Sequence, residues 1–187
     1  MADINSDALS ALVAPAESRD KPKEVGAPLP AVDARLITII ELLFFAYRDF
    51  TRDADAILAK FGLGRAHHRV LHFVDRHPGL RVADLLEILK ITKQSLAPVL
   101  KQLIDEGWIA QQAGVADRRE RRLRATAKGA SLARRLDQVQ ARRVGQALAA
   151  CAPGDESAVR GFLFAMINGD ERGRVETLLP EPAYPGR

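Results

Sequence analysis

The chain has 187 residues and a net charge of +4; 47% of its residues are hydrophobic, 28% are charged and 5% are aromatic. That balance fits one globular domain, or one and a half, with a core of Leu, Ile, Val and Ala. It excludes a bilayer-spanning helix, because no apolar run approaches about 20 residues. It also excludes an internal disulfide, because Cys151 stands alone. The N-terminus shows no basic segment followed by an apolar one, so a secretory signal is not expected. A reducing cytoplasm is the expected location, with no membrane partner.

Residues 1–30 hold Pro15, Pro22, Pro28 and Pro30 with no sustained period, and read as a disordered tail. Asp33 to Lys60 is the first helix expected. Leu36, Ile39, Ile40, Leu43, Phe44 and Tyr47 form one stripe, and Ile37, Leu42 and Phe45 lie outside it. A helix apolar nearly all round needs more than one partner surface, which a second subunit or the centre of a monomeric core would supply. Gly62 and Gly64 end it. Arg65 to Arg76 is the next helix, with Val70, Leu71, Phe73 and Val74 inward, and with its closing turn at Pro78-Gly79 it holds all four histidines, His67, His68, His72 and His77.

Arg81 to Leu89 follows, with Val82, Leu85, Leu86 and Leu89 inward. A short turn through Lys90 and Ile91 leads to Thr92, a good helix N-cap, and this is helix-turn-helix spacing. Beyond Thr92, Leu96, Val99, Leu100, Leu103 and Ile104 make one apolar face, while Lys93, Gln94, Ala97, Pro98 and Lys101 face outward. Gly107 suits the left-handed position after the helix. Trp108 to Gln112 reads as a strand, 113–120 as a polar loop and Arg121 to Ala125 as a returning strand, together a β-hairpin wing. Thr126 caps a long helix to about Ala150. Pro153-Gly154-Asp155 breaks it, and a last helix carries Val159, Phe162, Leu163, Met166 and Ile167 on one face.

Charge is segregated. From Gly114 to Arg143, ten Lys or Arg stand against three Asp or Glu, a balance of +7 that leaves about −3 for the rest. That is the footprint of a nucleic-acid binder, with a solvated charged helix as the competing reading. Lys93 and Lys101 have the charge for phosphates or guanine, and Gln94 has the paired donor and acceptor that fit adenine. Thr92 and Ser95 sit at a helix N-terminus, which favours phosphate. Arg118 and Arg119 are the leading minor-groove candidates, with Arg121 and Arg122 behind them.

His68 and His72 are four residues apart on one helix, a spacing that suits a shared ligand or metal; packing at a domain junction is the competing reading. Cys151 ends a helix, where the dipole disfavours a reactive thiolate. No nucleophile–base pair, glycine-rich phosphate loop or metal cluster is visible, so neither an enzyme nor a cofactor is expected.

The residues resemble the MarR family of winged-helix regulators. The motifs that carry this are His68-Arg69-Val70-Leu71, Pro78 to Leu86, Ile91-Thr92-Lys93-Gln94-Ser95, Leu103 to Ile109, Asp117-Arg118-Arg119 and Ala125-Thr126-Ala127-Lys128-Gly129. The run from Ile91 to Ile109 looks most like a PetP-like branch of that family. The likeness covers about residues 33–170. It implies a mainly α fold: a winged helix-turn-helix with flanking N- and C-terminal dimerisation helices and a small β-hairpin wing. It divides the chain into a tail at 1–30, a dimerisation helix at 31–64, the DNA-binding domain at 65–126, C-terminal dimerisation helices at 127–178 and a flexible tail at 179–187.

The resemblance further implies a homodimeric regulator of transcription, a repressor, on a pseudo-palindromic site in double-stranded DNA. Leu36, Ile40, Leu43, Phe44, Phe162 and Met166 would then meet a second copy, and Asp117 would stiffen the wing by pairing with Arg119. A small-molecule effector between dimer and DNA-binding parts is implied too, with His68 and His72 as its candidate contacts. The alternative is a winged-helix module that binds protein and not DNA. Three departures stand out: Leu86 where a small residue is usual, Lys90 where glycine is common in the turn, and Pro98 inside the recognition helix, where it is expected to kink the axis.

Overall fold

The computed structural model describes residues 32–113 and 120–180. In chain order these form α1 (Ala34–Ala59), α2 (Arg65–Arg76), β1 (Leu80–Arg81), α3 (Val82–Leu89), α4 (Lys93–Asp105), β2 (Ile109–Ala113), β3 (Arg121–Ala125), α5 (Ala127–Ala149), α6 (Asp155–Ala165) and α7 (Arg172–Leu178). By compactness the chain divides at Ile40–Glu41, inside α1. Among the described residues no helix is long and apolar enough to cross a membrane.

The core of the second unit is built around α2, which packs on α3, α4, α5 and β3. Val70, Leu71 and Val74 of α2 are buried with Leu85 and Leu89 of α3, Leu96, Leu100 and Leu103 of α4, and Leu132 and Leu136 of α5. Each such Leu contributes about 1.5–3 kcal/mol by leaving water. Val99 and Ile104 pack at the edge of this cluster, so the apolar face expected of the helix after Thr92 is the one that docks. Leu86, the first departure, is half-buried against the same cluster.

Two elements go beyond the sequence reading. Arg81 is not the start of a helix: with Leu80 it forms a third strand, antiparallel to β3, with Leu80 opposite Leu123 and Arg81 opposite Arg122. The sheet order is β1-β3-β2. The short helix α7 is the other, with no buried residue of its own. The hairpin itself is as expected, and Gln111 of β2 pairs with Leu123 of β3.

Lys90, the second departure, adopts φ 51° and ψ 45°, the left-handed conformation glycine would hold freely. It is the one non-glycine with positive φ among the described residues, a strain of about 1–2 kcal/mol. Its ammonium lies 2.7 Å from Glu171 and 3.7 Å from Glu87. Pro98, the third, is contained within α4, which stays helical on both sides of it. The proline has no N–H to give the Gln94 carbonyl, one turn earlier.

Candidate nucleic-acid interface

α4 is fixed at both ends. The Thr92 hydroxyl oxygen accepts from the Ser95 backbone N–H at 3.2 Å, and the two hydroxyls are 3.0 Å apart. The exposed Thr92 side chain thus holds the helix start through its oxygen. At the other end, Gly107 donates to the Ile104 carbonyl at 3.0 Å and Trp108 to the Leu103 carbonyl at 2.8 Å. This pair of bonds closes a helix through a left-handed residue, and Gly107 supplies it with φ 73°.

The Thr126-Ala127-Lys128-Gly129 run ties the wing's return to that same helix end. The Thr126 hydroxyl donates to the Gly107 carbonyl at 2.7 Å and accepts from Gly129 N–H at 3.1 Å. Lys128 donates to the Glu106 carbonyl at 2.8 Å, and its ammonium sits 3.7 Å from the centre of the Trp108 ring. Gly129 lies so close to the residue before β2 that an added Cβ would fall 2.0 Å from the Trp108 carbonyl oxygen. The motif is thus a joint, setting α4 and the hairpin at a fixed angle.

His67, of which the sequence reading made nothing, braces α4 from behind. Its Nδ1 accepts from Gly64 N–H at 3.1 Å, which leaves the proton on Nε2 to donate to Gln102 Oε1 at 2.8 Å. Gln102 then donates to Glu106 at 2.8 Å, and Glu106 accepts from the Trp108 indole at 2.9 Å. These donors hold the Glu106 carboxyl below its usual range. A glycine three residues before a histidine at a helix start was the available signal.

On the outer surface Lys93, Gln94, Ala97, Pro98 and Lys101 are all exposed. Among the described residues the side chains of Lys93 and Gln94 make no hydrogen bond or ion pair, so both are free to meet a ligand. Lys101 is paired with Asp105 one turn on and must leave it to reach a phosphate. Arg121 stands on the same sheet face as Leu123 and shares with Lys93, Lys101 and Gln111 the wall of a groove of about 660 Å³ between α4 and the hairpin. Glu120 immediately precedes β3 and lies 2.9 Å from Arg122 and 3.5 Å from Arg81. Arg81 also grips Asp84 at 2.6 Å, which holds that carboxyl below its usual range. Asp117, Arg118 and Arg119 lie outside the described residues.

Part of the basic block is committed to contacts within the chain. Arg143 reaches Asp53 at 2.7 Å, Arg122 serves Glu120 and Lys128 serves the joint. The block's surplus therefore overstates the charge left free of contacts within the chain.

His68 and His72 line a second cavity, of about 550 Å³, with Tyr47, Thr51, Asp55 and Arg65. His72 Nδ1 is 3.1 Å from Asp137, which lowers the Asp137 pKa. Burial, and then the neighbouring His72, push His68 below the ordinary imidazole range, favouring the neutral ring. Among the described residues no three His, Cys, Asp or Glu converge as metal ligands. Cys151 is exposed, its thiol donating to the Ala147 carbonyl at 3.4 Å.

Apolar side chains with no cover are concentrated on α1 and α6. Leu36 is 53% exposed, Phe44 68%, Phe162 45% and Met166 56%, and Ile40 is exposed as well. Leu43 is half-buried.

Helix-turn-helix, joint and three-stranded sheet define a winged helix-turn-helix protein. The MarR family model matches residues 61–120. The chain is 43% identical over 160 residues to the HTH-type transcriptional regulator PetP of Rhodobacter capsulatus, covering 83% of this chain and 96% of that protein. The fold matches the crystal structure of the transcriptional regulator SlyA with a TM-score of 0.61 at 19% identity, over 75% of this chain and 99% of that one. It also matches the S. aureus MepR–DNA complex with a TM-score of 0.57 at 16% identity, over 68% and 94%. The chain belongs to the MarR family and is a transcriptional regulator of that type.

Proposed function

We propose that the protein acts as a cytoplasmic homodimeric repressor that reads a pseudo-palindromic site in double-stranded DNA. The observation that carries this is the first turn of α4: Lys93 and Gln94 are exposed and unpaired, directly after a helix start that Thr92 and Ser95 hold rigid. Gln94 reads a base edge in the major groove. Lys93 and, once released by Asp105, Lys101 neutralise phosphates. Arg121, with Arg118 and Arg119 from the segment before it, supplies positive charge for the adjacent minor groove.

A second copy covers the exposed faces of α1 and α6 through Leu36, Ile40, Leu43, Phe44, Phe162 and Met166. A twofold dimer then places two copies of α4 in successive major grooves, about 10 bp apart. An effector in the cavity beside His68 and His72 would touch α1, α2 and α5 at once and relieve binding. MepR, a protein of the same fold, was crystallised with DNA, which supports the reading. The test is gel-shift selection from genomic fragments at moderate salt. Recovery of discrete fragments sharing a twofold motif is the expected result. Failure to retain any fragment would favour a protein-binding module.

A further inference from the structure

A third cavity, of about 430 Å³, opens between α2, the end of α3 and α7, and the function proposed above makes no use of it. Its apolar lining is Phe73, Ile88, Val175, Leu178 and Leu179. Its charged lining is almost fully paired. Arg174 is 2.9 Å from Glu87 and Glu171 is 2.7 Å from Lys90. Arg76, also in the wall, makes no hydrogen bond or ion pair among the described residues. The cavity thus offers an apolar body site and one guanidinium with no hydrogen-bonded partner, which feels the Asp137 carboxylate only through space, at the small end of the usual ligand-pocket range of about 300–1,000 Å³.

We propose that this cavity is a binding site for a small organic anion, an apolar body ending in one carboxylate, with the carboxylate on Arg76 and the body against α7. The state of α7 argues for an occupant. The helix buries none of its residues and is held mainly by polar contacts: its two ion pairs to α3 and the Arg172 guanidinium, which donates to the Ile167 and Ala165 carbonyls. An apolar ligand body completes the cover of Val175 and Leu178, which the chain leaves only half-buried. Arg76 also accounts for selectivity by charge. A guanidinium engages a carboxylate through charge-assisted bonds that an alcohol of equal length cannot match. His77 beside it is held low, first by burial and then by Arg76, which disfavours a second charge there. The site is separate from the cavity beside His68, with which it shares His72 and Phe73 as a wall.

The test is calorimetric titration of the full chain with decanoate, decanol and acetate as probes. Decanoate binds, and decanol and acetate bind at least about tenfold more weakly. Arg76→Gln weakens decanoate at least about tenfold, while Arg65→Gln, on the wall of the other cavity, changes it less than about twofold. Arg76 is exposed and unpaired, so its loss leaves the fold intact, and unchanged far-UV circular dichroism checks this. A diazirine-bearing fatty acid then crosslinks to peptides from α2 and α7. Absence of decanoate binding, equal binding of decanol, sensitivity to Arg65→Gln but not Arg76→Gln, or crosslinks confined to α1 and α5 would each overturn the proposal.

Discussion

Gly129 shows how one residue sets the geometry of the reading surface. The sequence places it in a helix just after Thr126, where alanine would ordinarily gain about 1 kcal/mol. The structure reverses that sign, because a Cβ there meets the Trp108 carbonyl oxygen at 2.0 Å. Gly129→Ala should therefore cost about 2–3 kcal/mol net, as overpacking does, measured by urea denaturation. A stabilised variant would show that α5 can move off β2 without loss. The caps at Thr92 and Thr126 and the left-handed Gly107 were legible in sequence because each is a local rule of a few residues. The His67–Gln102–Glu106 chain was not, since it joins residues 35 positions apart and leaves no periodic trace.

At the scale of elements, helices of ten residues or more announce themselves through spacing, and Arg65–Arg76 matches its expected bounds. A two-residue strand has no readable period, so β1 emerges only when Leu123 is placed opposite Leu80. α7 escapes for a related reason: ion pairs and carbonyl contacts hold it, with no buried face to show in the pattern. Pro98 is the clearest conflict between local preference and packing. The buried face of Leu96, Leu100 and Leu103 contributes several kcal/mol and outweighs the roughly 3 kcal/mol that an interior proline costs. Pro98→Ala should restore the bond to the Gln94 carbonyl and stabilise the protein by about 1–3 kcal/mol, seen as a higher urea midpoint at constant slope. An unchanged midpoint would mean that the proline costs nothing in this setting.

For the whole molecule, the uncovered faces of α1 and α6 are the strongest statement. An isolated chain rarely leaves so many large apolar side chains uncovered, and the stripe from Leu36 to Tyr47 called for more than one partner surface. Phe44→Asp places a charge where burial against a partner is proposed. Sedimentation velocity should then show the wild type at twice the chain mass and the variant at the single-chain mass. A dimeric variant would place the interface elsewhere. Sequence charge was a weaker guide at this scale, because Arg122, Lys128 and Arg143 are committed within the fold, a division no composition count reveals.

The central claim, that the first turn of α4 meets DNA, is tested most directly by a salt series. Affinity for a selected site, followed by fluorescence anisotropy, should fall linearly in log–log form with salt. Lys93→Gln should weaken binding and reduce the magnitude of that slope by about 0.9, the loss of one phosphate contact. Equal affinity and an identical slope for wild type and variant would contradict it.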